Sequence, residues 1–187
     1  MPTLTIPAFA RGTVDQNGHP FVAPTLRIFQ HQLYGDDHRT WMAFNIPALP
    51  GPPTSATLRF LVTGLLAPGP QAVSFRRSTA DLDTLLTCTG GDPEWTGLGN
   101  GTVFSEFVFA PANAGCVIDI PLNADARAAI ASAAGSRLAI GASIVPAVGE
   151  NPPLNHLVTG PSPGTANDGN CGLIVEASPR SAPPIPG

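Results

Sequence analysis

Apolar and polar residues alternate over several short stretches of the chain, the period-two signature of strands buried on one face. In Arg39-Thr-Trp-Met-Ala-Phe-Asn-Ile46, the residues Met42, Phe44 and Ile46 fall on one side. Arg39 and Asn45 fall on the other, with Trp41 between them. Ala56, Leu58, Phe60 and Val62 share a face, and Ser55, Thr57 and Arg59 point away. Pro47-Ala-Leu-Pro-Gly-Pro-Pro53 joins the two and reads as a loop, because proline cannot donate to a ladder. Residues 103–109 and 116–120 repeat the pattern around Pro111-Ala-Asn-Ala-Gly115, and 25–30, 72–76, 138–144 and 172–177 are further strand candidates. Many short strands joined by Gly/Pro turns predict an all-β fold, an antiparallel β-sandwich of jelly-roll-like form. Residues 123–134 depart from the pattern: they are Ala-rich, open on the N-cap residue Asn123 with Asp125 in the first turn, and stop at Gly135. They predict one short α-helix. Phe44, Leu58, Phe60, Phe107, Ile118 and Ile140 form the expected core.

Composition narrows the picture. A chain of 187 residues, 43% hydrophobic and 12% charged, suits a single domain with one core. With 22 prolines and 20 glycines, that apolar content argues for turns between strands rather than for disorder. Residues 1–177 are expected to form the sandwich, with a long loop at about 145–171; the Pro-rich 178–187 reads as an extended tail. All 9 basic residues are Arg and the net charge is −4, which disfavours nucleic acid or an anionic membrane as partner. No apolar run approaches the roughly 18 residues of a membrane helix. Met1 to Ala10 shows no recognisable signal peptide. Cys88, Cys116 and Cys171 are too few and too dispersed for a disulfide framework or a zinc site, and are expected as free thiols.

Several blocks together carry a resemblance. They are Gly12-Thr-Val-Asp-Gln-Asn-Gly18, Arg39 to Ile46, Thr54-Ser-Ala-Thr-Leu-Arg-Phe60, Leu98-Gly-Asn-Gly-Thr-Val-Phe104, and Leu122-Asn-Ala-Asp-Ala-Arg127 running on to Leu138-Ala-Ile-Gly141. In that order they resemble a largely uncharacterised family of bacterial and phage β-sandwich modules, over about residues 11–145. The resemblance implies a carbohydrate-binding or adhesin-like sandwich and no established activity. Asn45 stands where the family's strand motif has Asp.

Two common motifs of catalysis are missing: there is no H-E-x-x-H and no G-x-x-x-x-G-K. Gly97-Leu-Gly-Asn-Gly101 leads into a strand and reads as a turn. Asp36-Asp37-His38 and Asn167-Asp-Gly-Asn170 hold ligand-type residues without the geometry of a cation site. Both read as turns, so no metal and no cofactor are expected. A glycosidase would need two facing acids, and of the glutamates Glu106 and Glu176 lie in strand patterns and could face one another. Sugar stacking offers another route, since an aromatic face matches the apolar face of a pyranose. Trp95, flanked by Asp92 and Glu94 in the apparent loop Gly91-Asp-Pro-Glu-Trp-Thr-Gly97, is the candidate platform, with Tyr34 in a second loop. Its alternative is a loop anchor. In the tail, Pro183, Pro184, Ile185 and Pro186 form a candidate docking segment.

The expectation is a non-enzymatic structural or attachment protein of a surface assembly. A bacteriophage virion accessory protein, of the head or tail, fits best, located on the virion or an extracellular surface. Other protein subunits, in a homo-oligomer or a capsid or tail, are the expected partners. A carbohydrate-binding module with a glycan partner is the alternative, and a small glycan-active enzyme comes third.

Overall fold

A computed structural model describes residues 1–19, 26–30, 37–66, 69–87, 91–145, 156–161 and 169–179. Among these residues run eleven strands: β1 (Thr3–Asp15), β2 (Arg27–Gln30), β3 (His38–Asn45), β4 (Pro53–Leu61), β5 (Gly64–Leu66), β6 (Gln71–Arg77), β7 (Val103–Phe109), β8 (Val117–Pro121), β9 (Arg137–Ile144), β10 (His156–Thr159) and β11 (Cys171–Ala177). Three helices accompany them, α1 (Leu82–Thr87), α2 (Asp92–Gly99) and α3 (Ala124–Ser132), with a 3-10 turn at Pro111–Asn113.

Every ladder is antiparallel. Eight strands follow the order β7-β6-β9-β3-β1-β11-β4-β8. The two ends of this series meet again just past β8. There the Asn123 backbone N–H donates to Phe104 O at 2.9 Å, and its Nδ2 donates to Val103 O at 2.8 Å. The result is a nearly closed barrel. β5, β10 and β2 make a small three-stranded sheet, tied to it where Phe29 pairs with His38 of β3.

This corrects the jelly-roll-like sandwich with one short helix. β1 explains the first half of the correction. Its residues Thr3 to Pro7 pair with β11, while Ala8 to Asp15 pair with β3 across a bulge between Ala8 and Ala10. A bulge bends its strand and raises the local twist. One long strand thus belongs to both halves and curls them together. Period-two patterning is blind to this, since two packed sheets and one curled sheet alternate alike.

The second half concerns helices. α3 lies where Asn123 was expected to cap it, and the Asn123 Oδ1 accepts from Ala126 N at 3.0 Å. α1 and α2 were not expected. Asp81 starts α1 by accepting from Thr84 N at 3.0 Å. α2 takes in most of the glycine-rich segment read as a turn. β10 likewise falls inside the stretch read as a long loop, and His38 is buried at the start of β3 rather than in a solvated turn.

Phe44, Leu58, Phe60 and Ile140 are fully buried inside the barrel. The Phe60 ring centroid lies 6.4 Å from those of both Phe75 and Phe109. Phe107 and Ile118 are only half-buried. They sit on β7 and β8, the two ends of the series, between which no ladder forms among the described residues. Cys116 is exposed, Cys171 is buried, and neither is in a disulfide; Cys88 lies outside the described residues.

A second, smaller apolar cluster sits outside the barrel. Leu85 of α1 and Leu98 of α2 pack there on Ala10, Val14, Trp41 and Ala43. Glycine makes the approach possible. A Cβ on Gly12 would strike the Trp41 indole, and one on Gly141 would strike the Leu98 carbonyl.

Candidate functional site

α2 opens on a reciprocal cap. The Gly91 N–H donates to Glu94 Oε2 at 2.7 Å, and the Glu94 N–H donates to Gly91 O at 3.0 Å. Pro93 is tolerated here because the first-turn N–H groups have no helical partner. Asp92, Glu94 and Trp95 therefore share one helical turn rather than a loop. Asp92 is exposed, Glu94 is engaged in the cap, and Trp95 joins the outer apolar cluster. Tyr34, Pro183, Pro184, Ile185 and Pro186 lie outside the described residues.

The Trp95 ring is already occupied. The Arg39 guanidinium of β3 lies over it at 3.4 Å from the centroid, and Arg39 Nη1 donates to Trp95 O at 2.7 Å. A Cβ on Gly99 would overlap the same guanidinium, so α2 leaves a fitted space for it. α2 has no basic residue in its last turn. Arg39 brings positive charge to the carbonyl-rich end of the helix, where the dipole favours it. Burial pulls the Arg39 pKa below the usual guanidinium range; Asp37 opposes that shift and Arg76 adds to it.

Arg76 reaches this place from β6. Its neighbour Phe75 is in the core, so Ser74 and Arg76 face outward. Arg76 pairs with Gly141, which pairs with Trp41; one step along, Ser74 pairs with both Ser143 and Glu106. Arg76 Nη1 donates to Gly101 O at 3.3 Å. Two cations from separate strands thus hold carbonyls at the end of α2. Ser74 is 1% exposed, and its Oγ has no hydrogen-bond partner; the buried Trp95 Nε1 also has none. No local sequence signal marks this group, because strand order alone gathers it.

Glu106 and Glu176 are not brought together. Glu106 lies on β7, whereas Glu176 lies on β11 and accepts from Ser55 Oγ at 3.0 Å. Among the described residues no cluster of three His, Cys, Asp or Glu side chains could hold a metal ion.

A different surface lies around the 3-10 turn. Among the described residues β5, β7 and β8 each pair with a single neighbouring strand, so each presents an open edge, that of β7 beyond the Asn123 contacts at Val103 and Phe104. Leu66 on β5, Val108 on β7 and Val117 on β8 are 61%, 58% and 49% exposed. Val108 and Val117 flank the turn in sequence, and β5 packs against it. Residues 60–75 and 107–118 contain no charged side chain. The sequence displays those uncharged runs, but their meeting at one end is a property of the fold. No protein-family model matches the chain, and no curated protein matches it.

Proposed function

We propose that the protein is a non-enzymatic attachment subunit of a surface assembly, docking on further copies of itself through the uncharged end around the 3-10 turn. A bacteriophage virion accessory protein is the specific form of this reading. The observation that carries it is the coincidence of three open strand edges with three exposed apolar side chains, Leu66, Val108 and Val117. Open edges are templates for pairing with another chain, and monomeric proteins guard them with charge, proline or cover. Here the charges of β7 and β8, Glu106 and Asp119, lie on either side of an uncharged stretch, residues 107–118, where apolar surface is offered instead. Sugar stacking on Trp95, the alternative, requires Arg39 to leave the ring it now covers.

Sedimentation of the full chain over a concentration series tests the proposal. The wild type is expected to self-associate, and a Leu66→Lys/Val108→Lys/Val117→Lys variant to remain monomeric with unchanged circular dichroism. A wild type that stays monomeric at about 100 μM, weaker than any structural contact needs, would reject it.

A further inference from the structure

We propose that the outward face where β3, β9 and β6 meet the end of α2 binds an oxyanion, with Arg39, Arg76 and the Ser74 hydroxyl as its donors. This goes beyond the assembly reading and uses another surface. A guanidinium carries five N–H donors in a rigid fork suited to carboxylate or phosphate. Arg39 uses one of them on Trp95 O, and Arg76 uses one, at 3.3 Å, on Gly101 O. Asp37 is the one carboxylate that acts on Arg39 among the described residues, and Arg76 acts on it with the opposite sign. Two like charges are therefore kept near one another with most of their donors unassigned.

Position matters as much as charge. Arg39 is fixed by the Trp95 ring, the Trp95 carbonyl and the fit against Gly99, so binding would require little reordering of it. Ser74 supplies the independent observation. Its hydroxyl is buried on the same outward face, beside Arg76 on one strand, and no group of the described residues satisfies it. Buried polar atoms without partners are rare and call for an explanation such as a ligand. Glu106, opposite Ser74 on β7, adds a selective element. It repels a bare anion but accepts from a hydroxyl, so the best ligand is an oxyanion bearing neighbouring hydroxyls, the chemistry of an acidic sugar.

The test is calorimetric titration of the full chain with D-glucuronate, inorganic phosphate and D-glucose, with tryptophan fluorescence as a second readout. Glucuronate is expected to bind saturably and glucose not to bind. Arg76→Gln and Ser74→Ala should each weaken glucuronate by about tenfold, the scale of one lost charged or buried hydrogen bond. Arg76→Gln removes one part-buried contact of 3.3 Å, so the variant should stay folded with a small drop in melting temperature at most, and its result stands even if Ser74→Ala unfolds. Glu106→Gln should improve phosphate relative to glucuronate. Equal binding of glucose and glucuronate, undiminished binding by Arg76→Gln, or no saturable response to either anion at about 10 mM would each overturn the proposal.

Discussion

The helix-covered face and the uncharged end are built from strands of the same barrel and finished in opposite ways. On the first, α1 and α2 press onto β1, β3 and β9 through glycines, and two arginines tie the end of α2 to the sheet. On the second, β5, β7 and β8 stop with open edges and apolar side chains in solvent. The contrast teaches that one barrel can be covered in one region and left bare in another. One region closes on itself and keeps charged groups; the other is left unfinished and keeps none in residues 60–75 and 107–118.

Substitutions can break this contrast in graded steps. The largest effect belongs to the shared core. Phe60→Ala should destabilise by about 3–5 kcal/mol in chemical denaturation, because it empties a ring cluster that cannot collapse. Phe107→Ala, on the open side, should cost clearly less, since its ring is already half in solvent. Equal losses would mean that the open side is as tightly packed as the rest. Gly141→Ala comes next, at about 1–3 kcal/mol, because the added methyl meets the backbone carbonyl of Leu98 rather than a movable side chain. A neutral result would show that α2 is loosely seated. Arg39→Gln should cost about 1 kcal/mol through loss of the cation–π stack and its carbonyl contact.

The smallest effect concerns pH. Hydrogen bonds from Arg59 hold the Asp119 carboxyl below the ordinary carboxylate range, with burial opposing the shift. Its folded pKa is thus lower than its unfolded one. The contribution is complete above the ordinary carboxylate pKa and fades as pH falls through the folded value. Both side chains are well exposed, 38% and 47%, so solvent screening limits it to at most about 0.5 kcal/mol. A double-mutant cycle at neutral and acidic pH measures it, and a pair that strengthens in acid would contradict this sign.

Legibility in the sequence follows the same division. β4 is plain because Ala56, Leu58 and Phe60 alternate in hydropathy with Ser55, Thr57 and Arg59. β1 is hidden because its buried side chains include Ala8, Ala10, Arg11 and Thr13, and Pro7 interrupts the reading. Its place under Trp41 depends on smallness at Gly12, which carries no hydropathy signal. α2 is hidden for another reason: Pro93, Gly97 and Gly99 depress helix propensity, and tertiary docking overrides it. Asp92, Glu94 and Trp95 could be singled out as a group, but their partner Arg39 is set by strand order. The helix at Asn123 was readable because its cap, its alanines and its terminal glycine are all local.

The position of β11 bears on how the chain is made. β11 is inserted between β1 and β4, pairing Thr3 with Glu176 on one side and Leu58 with Leu173 on the other. Until it emerges from the ribosome, the β4–β8 pair has no ladder to the strands on β1, and both β1 and β4 wait with an empty side. Long-range closure of this kind is slow, because the entropy of joining distant segments precedes any reward. The nascent chain therefore carries a split barrel until then, and β11, the latest of the described strands, acts as the seam that completes it.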